Sequence, residues 1–163
     1  MLSIIRLMAA KITTGVVGAI VLLLLLVGPV NATEPRHPGP KDRCPVCGMF
    51  VEKYENWIAT VVFEDGEHVF FDGPKDLFRF LHDLEKYGHD ADAINDVLVT
   101  DYYTTKRMKA RDAFFVVGSD VMGPMGHELV ALRSESEAET FVRDHWGDKI
   151  LRFDEVTEEE VPK

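Results

Sequence analysis

The alternation of apolar and polar residues divides the chain into one long apolar run near its start and a series of short periodic segments. The run, residues 12–27, follows Arg6 and Lys11, holds consecutive leucines at 22–26, and stops at Gly28-Pro29 before Val30-Asn31-Ala32. A basic start, an apolar middle and a small-residue end make the pattern of a secretory signal, with cleavage expected after Ala32. The competing expectation is an uncleaved anchor over residues 1–32, since 12–30 approaches the length that spans a bilayer. Either way the remainder is expected outside the cytoplasm, in the periplasm, with 12–30 as its point of membrane association. Residues 33–42, with Pro35, Pro38 and Pro40, read as a Pro-rich linker.

Period-two alternation over 57–63, with Trp57, Ala59, Val61 and Phe63 on one face, predicts a strand. Asp65-Gly66 is a hairpin turn and 68–71 the returning strand. Asp72 is placed to cap a helix with Pro74 in its first turn. That helix is expected to reach about Tyr87, with Leu77, Leu81 and Leu84 as its stripe and Gly88 as its stop. The second half repeats the plan, with strands over 96–102, 113–117 and 128–132. Ser134 and Glu137 form a capping box before a helix carrying Phe141, Val142 and Trp146. Gly147 ends it, and 150–153 is a last strand. The prediction is an α+β fold of two sequential strand–strand–helix units in one domain, residues 43–156. A solvated acidic tail, 157–163, follows.

Charge narrows the partners. Without Arg6 and Lys11 the 18 basic residues fall to 16 against 28 acidic ones, a balance of −12. Nucleic acid is thereby disfavoured. Two cysteines in an exported chain ordinarily imply a disulfide. Here they form Cys44-Pro45-Val46-Cys47, a loop so small that a bridge stabilises little. Chemistry or metal binding explains the pair better.

Four-ligand zinc is disfavoured because no second CxxC and no pair of histidines three to five residues apart occurs. A redox pair normally opens a helix, whereas Gly48-Met49-Phe50-Val51 follows here. Soft-metal ligation remains. Met122 and Met125 sit in Met122-Gly123-Pro124-Met125-Gly126-His127, a stretch too rich in glycine to pack a core. Thioether and thiolate are soft donors that select Cu(I). Met49 lies two residues beyond Cys47, and His127 is the candidate nitrogen ligand. Asp72-Gly73 and Asp101-Tyr102-Tyr103 read as structural, and Trp57 and Tyr54 as a shield over the cysteines. No Ser-His-Asp set, phosphate loop or paired carboxylates stand out, so an enzyme is not expected.

Cys44-Pro45-Val46-Cys47-Gly48-Met49, Phe71-Asp72-Gly73-Pro74-Lys75-Asp76, Val99-Thr100-Asp101-Tyr102-Tyr103 and Gly118 to Gly126 together resemble the NosL family, accessory copper chaperones for nitrous oxide reductase. The resemblance covers nearly all of the exported domain. It implies an exported, non-catalytic Cu(I) carrier in which Cys47, Met49 and Met125 bind the ion. Cys44, Met122 and His127 are further candidate ligands. The implied partner is a copper-receiving enzyme, nitrous oxide reductase, or its assembly proteins. The chain lacks the lipid-attachment cysteine typical of the family, and Cys44 is an addition to the lone cysteine of some members. A weaker similarity of the CxxC segment is to YHS and TRASH treble-clef modules, whose second ligand pair would fall near 71–76, where no cysteine occurs. The alternatives to copper delivery are therefore a thiol oxidoreductase and a metal-sensing treble-clef module.

Overall fold

The computed structural model describes residues 36–163; the expected signal or anchor at 1–32, the membrane association through 12–30 and the start of the linker lie outside the described residues. The first hairpin forms where the alternation places it. Strands β1 (Ala59–Phe63) and β2 (His68–Phe71) pair antiparallel, with Ala59 opposite Phe71 and Val62 opposite His68. Gly66 turns the chain at φ 88°, a left-handed conformation that glycine adopts without strain. Trp57 stays outside the strand because its N–H turns back to the Tyr54 carbonyl at 2.7 Å.

Helix α1 (Pro74–His82) follows, with Leu77, Phe78 and Phe80 buried. Its N-cap is Gly73 rather than Asp72, and Gly73 supplies no side-chain cap. The helix also ends earlier than its apolar stripe implies. Beyond it the Asp83 N–H bonds the Phe80 carbonyl, and the chain tightens into a 3-10 turn, Leu84–Tyr87, closed by Gly88. Strand β3 (Ile94–Thr100) then pairs antiparallel with β1, and β4 (Arg107–Lys109) with β3, giving the order β2-β1-β3-β4.

The second unit starts at β5 (Phe114–Val117). A small hairpin, β6 (Met122–Gly123) and β7 (Gly126–His127), interrupts the path to β8 (Val130–Leu132). Helix α2 (Glu135–His145) opens with the Glu137 N–H donating to Ser134 Oγ at 3.2 Å, as the cap signature predicts. Strand β9 (Lys149–Arg152) closes a sheet of order β8-β5-β9. Both units share one plan: hairpin, helix, then a third strand laid antiparallel along the free side of the first. The 96–102 strand, grouped by sequence order with the second half, in fact completes the first unit.

Phe78 of α1 meets Phe115 of β5 edge to face at 5.1 Å and Phe153 at 5.4 Å, so aromatic contacts help to join the two units. A second cluster lies against α2, where Phe141 packs with Val116, Val130 and Leu132. Trp57 belongs there too, 6.2 Å from Tyr102, and so is no shield for the cysteines. Both ends of the domain are tied down more than their composition suggests. Arg36 pairs with Asp42 at 2.8 Å and lies over the Phe70 ring. In the acidic tail, the Pro162 carbonyl accepts from Arg79 at 2.8 Å and Val161 packs against the core. Among the described residues no helix is long and apolar enough to cross a membrane.

Phe78→Ala removes these two aromatic contacts between the units and is expected to cost about 3–5 kcal/mol, the usual range for a buried phenylalanine. Urea denaturation followed by far-UV circular dichroism and tryptophan fluorescence measures it. Two separate transitions in the parent protein would show that the units do not unfold together.

Candidate metal centre

The CxxC segment folds as a tight knuckle. The Cys44 N–H donates to the Met49 carbonyl at 2.9 Å, and the Gly48 N–H donates to the Cys44 carbonyl at 2.8 Å. Gly48 has φ 78°, so the turn depends on glycine. This closure directs the N–H groups of Val46 and Cys47 at the Cys44 sulfur and that of Met49 at the Cys47 sulfur. Both cysteines are free thiols; Cys44 is 1% exposed, and Cys47 is half-buried.

The start of α1 faces this knuckle. The Cys47 thiol donates to Asp72 Oδ1 at 3.1 Å, and the Cys44 thiol donates to Asp76 Oδ2 at 3.3 Å. Four donor atoms, from Cys44, Cys47, Asp72 and Asp76, lie within 4.8 Å of one another. Asp72 is therefore a partner of Cys47 rather than a helix cap. Neither aspartate is among the residues that sequence reasoning singled out for chemistry. The available signal was their spacing of four, which puts two carboxylates on one face of a helix start.

Burial and the backbone act on these thiols in opposite directions. Removal from water disfavours the thiolate, whereas N–H···S bonds favour it. Burial wins at both. It pushes Cys47 up to about 12, and the neighbouring Asp72 and Asp76 add to the rise. Cys44, more deeply buried beside Asp76, is pushed higher still. Without metal both are protonated thiols at neutral pH.

The methionine segment forms the β6–β7 hairpin. Met122 stands opposite His127 across its register, and Met125 lies in the turn between the strands. Met122 is 52% exposed and Met125 48%, so neither serves as core filler. His127 is exposed as well. The hairpin is fastened to α1 at two points. Lys75 Nζ donates to the Met125 carbonyl at 2.8 Å. Glu128, directly after β7 and 3% exposed, accepts the Lys75 N–H and the Leu129 N–H through Oε1. A Cβ at Gly73 would stand 2.3 Å from Glu128 Oε2, and one at Gly123 would stand 2.9 Å from Glu128 Cβ. Two glycines thus make room for one carboxylate, which replaces the missing cap of α1.

The structure therefore gathers the predicted ligands into two groups. Cys44, Cys47 and half-buried Met49 share the knuckle; Met122, Met125 and His127 share the hairpin. Residues 72–76 touch both groups, with Asp72 and Asp76 on the cysteines and Lys75 on the hairpin.

Residues 35–161 match the NosL family. The chain belongs to the NosL family. It is 26% identical over 132 residues to the copper-binding lipoprotein NosL of Stutzerimonas stutzeri, covering 77% of this chain and 67% of that protein. The crystal structure of the copper chaperone NosL from Shewanella denitrificans superposes with a TM-score of 0.66 at 27% identity, over 76% of this chain and 96% of that one. The solution structure of apo-NosL from Achromobacter cycloclastes is 25% identical and covers 63% and 87% of the two chains, with a TM-score of 0.45. The NosL crystal structure thus shares the α+β fold of this chain.

Burial raises the Glu128 carboxyl from 4.5 to about 8. Between those values the folded chain holds a proton that the unfolded chain has lost, so stability falls as pH rises through that window. Glu128→Gln keeps the acceptor and removes the titration. Its melting temperature is expected to gain on that of the parent between pH 5 and pH 8. Parallel melting curves across that range would contradict the buried-carboxyl assignment.

Proposed function

We propose that this NosL chain is an exported, non-catalytic carrier of Cu(I) that passes the ion to a periplasmic copper enzyme, nitrous oxide reductase. One observation carries this reading. The only two cysteines of the sequence, and the two exposed thioethers among the described residues, lie in segments fastened to the same helix end. Exposed thioethers on a tight loop do nothing for packing, whereas ligation of a soft ion gives them a use. The names of the relatives from Stutzerimonas stutzeri and Shewanella denitrificans point to the same metal.

In this reading Cys47 anchors the ion as thiolate, with Met49 and Met125 as thioether ligands. Cys44, Met122 and His127 serve in capture and hand-over. Met122 and Met125 meet an incoming ion first, since they are open to solvent and Cys44 is not. Each thiol that becomes a ligand releases its proton to water, so uptake competes with protonation. Transfer runs the same way in reverse, as a partner's donors replace the weak thioethers and Cys47 regains a proton. The N-terminal segment would keep the domain at the membrane.

The raised thiols speak against the thiol oxidoreductase alternative, because exchange is carried by the thiolate. That alternative also has no use for Met125.

Competition against a Cu(I) chelator, on reduced protein under anaerobic conditions, tests the reading. Cys47→Ser is expected to abolish binding and Cys44→Ser to weaken it less. Met125→Leu is expected to weaken binding while its thermal melt stays near the parent's, since a volume-conserving swap costs under about 1.5 kcal/mol even in a core. Met122→Leu should have the smaller effect. A parent protein that does not compete for Cu(I), or a Met125→Leu variant that binds like the parent, would overturn it.

Affinity should climb with pH, roughly tenfold per unit for each thiolate formed, because Cys47 stays protonated up to about 12. A flat profile between pH 6 and 9 at ~25 °C would mean that no thiol proton leaves on binding. Delivery is read separately, as copper gained by metal-free nitrous oxide reductase mixed with the loaded chain.

A further inference from the structure

Trp146 is the most exposed large apolar side chain among the described residues, at 75%. Its sequence period groups it with Phe141 and Val142 on the apolar side of α2, yet it stands one residue past the helix, as the C-cap. The backbone there is left-handed, with φ 52° and ψ 37°. A bulky side chain is out of place in that conformation, which helix ends usually give to glycine. The glycine comes one residue later, where close packing requires it: a Cβ at Gly147 would stand 2.5 Å from Val116 Cγ1. An exposed tryptophan on a strained backbone adds nothing to the core, and strain of this kind points to function. We propose that Trp146 and Tyr103 are the aromatic contacts of a docking surface for a lysine- or arginine-bearing loop of the protein that receives the copper. The surface stands on its own rings and charges; its link to delivery rests on the copper reading.

The two residues flank one aromatic stack. Tyr103 meets Tyr102 edge on at 5.4 Å and lies 6.3 Å from Phe141, and Phe141 stacks at 4.4 Å on His145, the residue before Trp146. Tyr103 is itself 46% exposed. Exposed tryptophan and tyrosine offer large contact area at little cost in side-chain entropy, and they are the side chains that dominate binding surfaces.

Charge selects the occupant. Burial first, and then the carboxylates of Asp144, Glu137 and Asp101, raise the Tyr103 phenol, and the carboxylate share of that rise marks a negative field at the ring. Asp144 and Asp148 stand two residues to either side of Trp146, and both are exposed. The C-terminal end of α2 adds its partial negative charge. Arg143 turns back to donate to Thr140 at 2.9 Å, and Arg133 is paired with Asp101 at 3.3 Å. A cation seated on the Trp146 ring meets the ring face, the carboxylates and the helix end together. The same charges repel an anionic lipid surface.

The surface also borders the exposed thioethers. The Asp120 N–H donates to the His145 carbonyl at 3.0 Å, and His145 Nδ1 lies 3.0 Å from Asp120 Oδ1. Met122 follows two residues after Asp120, at the start of β6. A partner seated on Trp146 is thereby brought to the hairpin from which it takes the ion.

Fluorescence anisotropy of a labelled short peptide of alternating arginine and glycine, titrated with the reduced full chain in detergent, tests the surface. Saturable binding is expected, weakening as salt rises and lost in Trp146→Gly. Glycine suits the left-handed position, so the melting temperature of that variant should equal or exceed the parent's. Tyr103→Ala and Asp144→Asn should each weaken the peptide several-fold. No binding, binding that survives Trp146→Gly, equal affinity for a glutamate-glycine peptide, or a lowered melt of Trp146→Gly overturns the proposal. Brominated lipid that quenches Trp146 in vesicles holding the full chain, or a dimer that dissociates on Trp146→Gly, would give the face another occupant and overturn it too. Loaded with copper, Trp146→Gly should keep the parent's Cu(I) affinity against the chelator yet pass copper to metal-free nitrous oxide reductase several-fold more slowly. Transfer at the parent's rate overturns the assignment to delivery. A parent that binds the peptide but no Cu(I) sinks the copper reading alone.

Discussion

Glu128 is the interaction on which the rest of the site depends. A helix start exposes unpaired N–H groups and a partial positive charge, and a nearby side-chain oxygen usually satisfies them. Helix α1 has glycine at that position, and the oxygen comes from Glu128, 53 residues downstream of the Lys75 N–H that it accepts. One carboxylate thereby fixes the helix start, which carries the partners of the cysteines, and the strand end that carries the methionines. Gly73 and Gly123 are the space this requires, and Lys75 closes the other side by holding the Met125 carbonyl. The ligand groups are remote in sequence and adjacent to one helical turn.

Around the cysteines, the same fold sets two forces against each other. Burial keeps the thiols protonated, while the knuckle has already aimed N–H groups at both sulfurs. The backbone is thus arranged for thiolates that the metal-free protein does not hold. An entering ion needs to supply only the charge, because the geometry that stabilises sulfur anions is in place beforehand. Such a site discriminates against oxidation as well, since a protonated and largely buried thiol is a poor nucleophile.

Much of this was legible in the chain. The first hairpin, the Ser134 cap and the solvent-facing methionines follow from period, turn chemistry and glycine content, all of which are local. The errors share a physical origin. An aspartate before a helix looks the same whether it bonds its own backbone or a cysteine 25 residues away, so Asp72 passed for a cap. Glu128 sits among strand residues where an acidic side chain ordinarily faces water, and nothing local announces a helix start waiting for it. The strand at Ile94–Thr100 has the right periodicity, but periodicity does not name the neighbour, and β1 claimed it. The tail looked solvated from its three glutamates, while Val161 and Pro162 beyond them found the core and Arg79.

The repeated plan has a consequence for how such a protein changes. Both units connect their first two strands by a loop, yet one loop is a tight turn at Gly66 and the other carries the β6–β7 hairpin. The pairing of β5 with β8 and β9 runs through residues outside that hairpin. Its side chains are accordingly free to vary provided Gly123, Glu128 and the carbonyl held by Lys75 stay in place, because the sheet beneath does not register them. The scaffold therefore behaves like a handle with an exchangeable tip: new donors grafted between residues 123 and 127 would alter what the protein grips without a new core having to evolve.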